Sequence, residues 1–361
     1  MKVESLTPVP LRIRAKERLK GGTFGYSHYQ TVLVRAVVDG VEGWGEAMTR
    51  FDPKATALMV RYLAKGLRGG EFDDADSAWE RSWRELRIRG HTRGTDVEAL
   101  SGIEIALYDC MGKLLKKPLG RLVAKDTAAE VPAFAGSLFE SRGPIGAQVE
   151  LAKGRGLMGA KVKVGFGAEA DARLLREVRS RWPDGMLVAD ANGAYDGTGA
   201  VRACRRFAGL DLAWFEEPVL SDDLAGYSLL RGSKVKIGAG ESWFAGDFGF
   251  PIDEGLVDVL EPSVSRCGGF RTVVRAARRA ALRGIGFSPM TGMNSAVSLA
   301  ASIHAASVVG SMGVEFNPFA NPLQTDLAAG LAEPKGGSIR VPRGDGLGLE
   351  VDPRFLKAHS A

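Results

Sequence analysis

The chain has 361 residues, 45% hydrophobic and 25% charged, with a formal net charge of +5. That composition suits a globular protein with a large buried core, and the length suits a barrel with an additional domain. The basic residues are dispersed, which argues against nucleic acid, and no run of 18 apolar residues exists, which argues against a membrane-spanning helix. Cys110, Cys204 and Cys267 are few, odd in number and far apart, so the expectation is a reducing, cytoplasmic setting with no disulfide framework. No Cys/His cluster has zinc spacing, and Met1 to Leu11 lacks the apolar run of a signal peptide.

Residues 1–50 read as strands and turns. Thr31 to Val38 is rich in β-formers, Asp39-Gly40 is a hairpin turn, and Val41 to Ala47 returns. Before them lies a glycine-rich loop, Lys20 to Tyr29, carrying His28 and Tyr29. It reads either as a flexible hairpin tip or as a lid whose Tyr and His contact a polar ligand. Residues 53 to about 117 read as helices. Pro53 opens the first, and Ala99 to Met111 is apolar all round, as a buried helix is.

From Val131 short apolar runs alternate with helical segments. Strands are expected at 131–135, 160–164, 187–189, 212–215, 235–238, 256–260, 285–287 and 313–316. Helices are expected between them, including 169–182, 244–254 and 270–283. Eight strands alternating with helices favour a parallel α/β arrangement, most simply a barrel. Residues 337–356, with Pro342, Pro353 and several glycines, read as irregular structure packing back on the first domain.

Three acids end successive βα units: Asp190, Glu216 26 residues on, and Glu241 25 further. Acids at strand ends can cap the next helix, but glutamate is a poor cap. On a barrel such acids converge on one face, and converging carboxylates call for a hard cation, Mg²⁺. Asn192 is placed to orient a ligand or touch substrate, and Glu217 to hydrogen-bond behind the ligands. Lys161 and Lys163 alternate about Val162, so both face one way. A lysine beside a divalent cation has its charged form disfavoured, so its pKa should fall and let it act as a base. A lysine base, Mg²⁺ and a carboxylate substrate together point to removal of the proton next to the carboxylate, giving an enediolate.

In this order Gly43-Trp-Gly-Glu46, Ser101 to Asp109, Lys161-Val-Lys163, Asp190-Ala-Asn192, Phe215-Glu-Glu-Pro218, Gly268-Gly269 and Gly346-Leu-Gly348 resemble the mandelate racemase/muconate lactonizing enzyme family of the enolase superfamily. The resemblance implies an α/β fold: a modified TIM barrel, (β/α)7β, under an N-terminal α+β capping domain. The expected division is 1–125, completed by about 337–361, for the cap and 126–336 for the barrel. It also implies one Mg²⁺ on Asp190, Glu216 and Glu241, Lys163 as base, Lys161 near the substrate carboxylate, and Glu315 beside a carboxylate oxygen as donor or electrophile. Relatives often form dimers or octamers, so a homo-oligomer is expected.

The sequence departs from the family where a second base belongs. Ser263 stands five residues before the Gly-Gly pair, and Met290 stands where a histidine is usual. Neither is a base at neutral pH, which disfavours two-base racemisation. The expected function is dehydration of an acid sugar with Lys163 alone. The alternatives are a one-base epimerase or cycloisomerase, and a relative that binds without turnover. Glu261, His28, Asn294 and His304 are other proton-bearing or polar candidates; Asn294 is expected to touch substrate, and His304 reads as a core histidine.

Overall fold

The computed structural model describes residues 1–361, the side chains of residues 17 and 18 excepted. An antiparallel sheet runs in the order β1 (Val3–Lys20), β2 (Gly25–Val38) and β3 (Val41–Ala47). Asp39 (φ 48°) and Gly40 (φ 77°) are both left-handed, as a two-residue hairpin turn between twisted strands requires. Three helices follow: α1 (Pro53–Leu67), α2 (Ala75–Ile88) and α3 (Thr95–Leu115). Asp52 caps α1 by accepting from the Lys54 amide, with Pro53 in the first turn, and Asp74 and Ser77 form a capping box on α2. From Val97 to Cys110 every residue of α3 is buried.

The glycine-rich segment is not a long loop. β2 begins at Gly25, and His28 and Tyr29 pair with Arg14 and Ile13 of β1. Only Gly21 to Phe24 turn the chain, with the Gly21 amide bonded to the Phe24 carbonyl at 2.9 Å. This tip is seated on the barrel. A Cβ on Gly22 would lie 2.8 Å from the Gly165 carbonyl oxygen, and the Thr23 hydroxyl donates to the Asn192 carbonyl at 3.2 Å.

The barrel alternates β4 (Glu130–Leu138), α4 (Ile145–Gly154), β5 (Gly159–Lys163), α5 (Ala168–Arg181), β6 (Met186–Asp190), α6 (Gly197–Phe207), β7 (Trp214–Glu216) and α7 (Leu224–Leu229). It continues through β8 (Ile237–Ala239), α8 (Gly249–Asp253), β9 (Val259–Leu260), α9 (Phe270–Ala281), β10 (Gly286–Phe287), α10 (Ala296–Val309) and β11 (Val314–Phe316). The eight strands are parallel, in the order β10-β9-β8-β7-β6-β5-β4-β11. Between the two end strands the Met312 amide bonds the Phe287 carbonyl at 2.8 Å. This is the expected (β/α)7β barrel. The helix expected over 244–254 is shorter, because Asp247 folds back to accept from the Phe244 amide at 3.0 Å and turns the chain first.

The last part of the chain is more regular than expected. It forms α11 (Pro322–Thr325), β12 (Ala328–Ala329), β13 (Ser338–Arg340), β14 (Glu350–Val351) and α12 (Pro353–His359). β13 adds antiparallel to β4, β12 pairs with β14, and α12 packs on β1. The signal for α12 is local: Asp352 accepts from the Arg354 amide, and Pro353 fills the first turn.

Buried acids of the cap stitch it to the barrel. Glu104 of α3 accepts from the Phe270 and Arg271 amides at 2.8 and 2.7 Å, which satisfies the exposed first turn of α9. Glu46 does the same for α10 through the Ser295 and Ser298 amides, the latter at 2.9 Å. Ser101 accepts from the Gly268 amide at 2.8 Å, and Asp109 from the Leu347 amide at 2.8 Å. A Cβ on Gly269 would stand 2.4 Å from the Glu104 carboxyl, and one on Gly346 2.1 Å from Asp109 Oδ1. The Gly43 to Glu46, Ser101 to Asp109 and Gly268-Gly269 motifs are therefore partners across this seam, and Gly346-Leu-Gly348 seats the C-terminal segment on α3.

Candidate active site

Strand register brings the predicted groups together. Lys163 lies opposite Asp190, Asp190 opposite Glu216, and Glu216 opposite Gly238, two residues before the loop residue Gly240 and three before Glu241. All leave the carboxyl ends of parallel strands, and this is the face on which barrel enzymes carry their sites. Lower in the barrel Phe134, Val188, Trp214 and Val259 form an apolar layer. The charged groups therefore stand on a dry floor, where charge–charge effects are strengthened.

Lys161 Nζ lies 2.9 Å from Glu216 Oε1 and 3.3 Å from Asp190 Oδ2, and it also pairs with Glu315. Lys163 pairs with Asp190 and donates to Asn192 Oδ1 at 2.7 Å. The Asn192 amide nitrogen Nδ2 donates to Glu241 Oε1 at 3.2 Å, and its backbone (φ 46°) is left-handed. Arg50, from the segment after β3, holds both oxygens of Glu241 at 3.3 and 3.2 Å and donates to the Tyr26 hydroxyl.

One lysine shared among three acids leaves the cluster short of positive charge. Burial pushes the Glu216 carboxyl up to about 8, and Asp190 adds to the effect. Burial also acts on Asp190, but Lys163 and Lys161 outweigh it and hold Asp190 below its ordinary value. Glu241 is likewise held low, mainly by Arg50 working against burial. Burial opposes the charge on both lysines, yet the surrounding carboxylates prevail and both pKa values are raised. The fall expected beside a cation is not what carboxylates alone produce.

Do these residues fit a divalent metal? Glu216 Oε2 and Glu217 Oε1 are buried and have no hydrogen-bond partner among the described residues. The donors are all carboxylate oxygens, the set that a hard cation selects. By charge and donor chemistry they fit. By distance they are held apart: among the described residues no three His, Cys, Asp or Glu side chains stand in a metal-enclosing arrangement. Glu217 stands beside Glu216 on a left-handed backbone (φ 38°), with Oε1 unpaired.

A cavity opens over the cluster. Lys161, Lys163, Asn192, Glu241, His28, Tyr29 and Asn294 all line it, as does Met290. Asp190, Glu216 and Glu315 lie buried beneath and do not. Glu315 accepts at Oε2 from the Thr291 and Gly292 amides at 3.3 and 2.7 Å, so every hydrogen bond it makes here is one it receives. Tyr29 donates to the Ala320 carbonyl at 3.0 Å, and His28 Nδ1 meets the Ser27 hydroxyl at 2.9 Å. The Asn294 amide nitrogen is engaged by Ser265 and Ser298. Ser263 is buried against Ser265, and Glu261 faces the barrel interior, where Trp214 Nε1 donates to it at 2.8 Å. His304 lies in the core, bonded to the Leu347 carbonyl.

Tyr26 and Arg50 line the cavity too, and Phe24 stands beside it with its ring centroid 5.4 Å from Lys163 Nζ; Phe24 and Tyr26 lie in the segment read as a hairpin tip or lid, and the pairing of Arg50 with Glu241 was not expected. Their approach depends on the cap's fold, and no spacing within the barrel announces it.

A profile described as the mandelate racemase/muconate lactonizing enzyme N-terminal domain matches residues 12–124, and one described as enolase C-terminal domain-like matches 145–355. The chain belongs to the mandelate racemase/muconate lactonizing enzyme family. This is a family of enzymes within the enolase superfamily. Among its relatives, the D-galactarolactone cycloisomerase of Agrobacterium fabrum is 29% identical over 98% of this chain and 97% of its own. The L-rhamnonate dehydratase of Saccharopolyspora erythraea is 25% identical over 97% of this chain and 90% of its own. The crystal structure of a racemase from Streptomyces coelicolor A3(2) with bound magnesium superposes with a TM-score of 0.90, at 26% identity, covering 99% of this chain and 100% of that one. No helix among the described residues of this family member is long and apolar enough to cross a membrane.

Proposed function

We propose that this enzyme removes the proton α to the carboxylate of an acid sugar, with Lys163 as base, and completes a β-elimination as a dehydratase. The observation that carries this reading is the position of Lys163: it lines the cavity, touches Asp190 and Asn192, and sits one strand from the acid cluster. Asp190, Glu216 and Glu241 would hold Mg²⁺. When bound, the cation supplies positive charge that stabilises the oxyanion developing as the α-carbon loses its proton.

The chain's own groups do the rest. Lys163, once free of its proton and of Asp190, takes the α-proton into the cavity. Lys161 presents its ammonium to the substrate carboxylate, and Asn192 keeps Lys163 and Glu241 aligned. The new Lys163 ammonium then stands on the face from which a β-hydroxyl departs as water.

A second reading is a cycloisomerase acting on a sugar-acid lactone, with a ring carboxylate as the leaving group. Ser263 and Met290 favour it, because the cavity side expected to carry a second acid or base presents Met290 and a buried serine. A carboxylate leaves without protonation, whereas hydroxide does not.

The test is a panel of aldonic acids, aldaric acids and their lactones with MgCl₂, followed for 2-keto-3-deoxy products. Turnover of the acids supports dehydration, and turnover of the lactones alone supports the second reading. No turnover across the panel by metal-loaded protein removes both. Lys163→Ala should abolish exchange of the substrate α-proton with solvent; unchanged exchange would reject Lys163 as base.

A further inference from the structure

Each proposed metal ligand is already held by a cationic side chain. Lys163 holds Asp190, Lys161 bridges Asp190 and Glu216, and Arg50 spans both oxygens of Glu241. The lysines come from β5, on the barrel, and line the cavity where a substrate carboxylate would meet them. Arg50 is different in three respects.

First, it comes from the cap. Its segment is pinned to the barrel by the Met48 amide bonding the Ser265 carbonyl at 2.9 Å. Second, its side chain is 29% exposed, against 9% for Glu241, so it has solvent to move into. Third, a lysine can shed its proton when a cation approaches, but a guanidinium cannot. Arg50 must move away, or its charge stays beside the arriving ion.

The other anchor of Arg50 is the Tyr26 hydroxyl, on the hairpin whose tip rests on the barrel. Tyr26, Arg50 and Glu241 line both the cavity over the lysines and a second, outer cavity reaching Glu98, Glu217 and Arg266. The bridge they form is part of the partition between the two.

We propose that Arg50 competes with the divalent cation for Glu241 and so sets the metal affinity of the site. This rests on the reading of Asp190, Glu216 and Glu241 as metal ligands. One guanidinium nitrogen, Nη2, stands 3.3 and 3.2 Å from the two Glu241 oxygens, so its charge sits where it opposes a metal on that carboxylate. Binding therefore includes the cost of turning Arg50 out toward the outer cavity, and Tyr26 adds to that cost by holding the guanidinium from the other side. Arg50 acts through Glu241, as a positioning residue.

The experiment is calorimetric titration of the full-length protein with MgCl₂, for wild type, Arg50→Gln and Arg50→Lys. Arg50→Gln should bind Mg²⁺ about tenfold more tightly, and Arg50→Lys, whose ammonium can lose its proton as the ion enters, should fall between wild type and Arg50→Gln. Tyr26→Phe should move affinity the same way by about two- to threefold, and it serves as the probe if Arg50→Gln does not fold. Equal or weaker binding by folded Arg50→Gln, or by folded Tyr26→Phe where Arg50→Gln does not fold, overturns the proposal while leaving the metal reading intact. If neither wild type nor variants take up Mg²⁺ at millimolar concentration, the metal reading falls and this one with it.

Discussion

Lys161 Nζ stands 2.9 Å from Glu216 Oε1 and 3.3 Å from Asp190 Oδ2, so one ammonium serves carboxylates on two neighbouring strands. Replacing it with methionine leaves buried acids without their shared counter-charge. Breaking a buried ion pair from one side costs about 3–5 kcal/mol. Lys161→Met should therefore lower the melting temperature markedly in metal-free buffer. Because the acids then have more to gain from a cation, added MgCl₂ should raise the melting temperature of the variant more than that of wild type. Equal shifts would show that Lys161 does not stand in for positive charge at this cluster.

Met290 lines the cavity where the family often places a histidine, and Ser263 is buried against Ser265. On the proposed reading, in which Lys163 is the only base at the α-carbon, exchange in deuterated water should label that carbon without inverting it. Chiral analysis of recovered substrate checks this. Deuterated substrate epimerised at the α-carbon would require a second base that these residues do not supply.

Glu104 is fully buried and accepts from the Phe270 and Arg271 amides. Glu104→Ala leaves both donors of α9 without a partner, at a cost of about 2–3 kcal/mol. Glu104→Gln, which keeps one acceptor, should recover part of the loss. Urea denaturation of the three proteins measures the order.

His304 is buried in α10 and bonded at Nε2 to the Leu347 carbonyl at 3.3 Å. Burial lowers its pKa from 6.5 to about 4. Below pH 6.5 the unfolded chain takes up a proton that the folded one refuses, so stability is lost as pH falls from 6.5 toward 4. By linkage the loss at pH 5 is about 2 kcal/mol. His304→Leu should flatten this limb of the stability curve between pH 7 and 5. A variant as acid-sensitive as wild type over that range would place the sensitivity elsewhere.

How much of this was legible in the residues follows from where each group gets its position. Asp190, Glu216 and Glu241 recur at one βα period, so counting along the chain was enough to align them. Lys161 and Lys163 followed from two-residue alternation in a short strand. The distances among their charged ends did not follow, because these depend on how five side chains divide the available charge. The pairing of Arg50 with Glu241 and Tyr26 was illegible for a different reason: Arg50 and Tyr26 reach the cavity from the cap, and only docking of the two bodies brings them there. Lys20 to Tyr29 misled as a loop because its glycines mask a strand pairing that β1 imposes from outside the segment. Gly43 to Glu46 and Ser101 to Asp109 were recognisable as motifs, but their reason, acids seated on the barrel helices and on the Leu347 turn, appears only in three dimensions.

Those acids bear on how the protein comes apart. Glu46 and Glu104 answer amides on α10 and α9 that have no acceptor within their own helices. Pulling the two bodies away from each other would break these bonds and bare the buried apolar surface of the seam to water. Cap and barrel are thereby bound into one cooperative unit, and a calorimetric scan should trace a single endotherm.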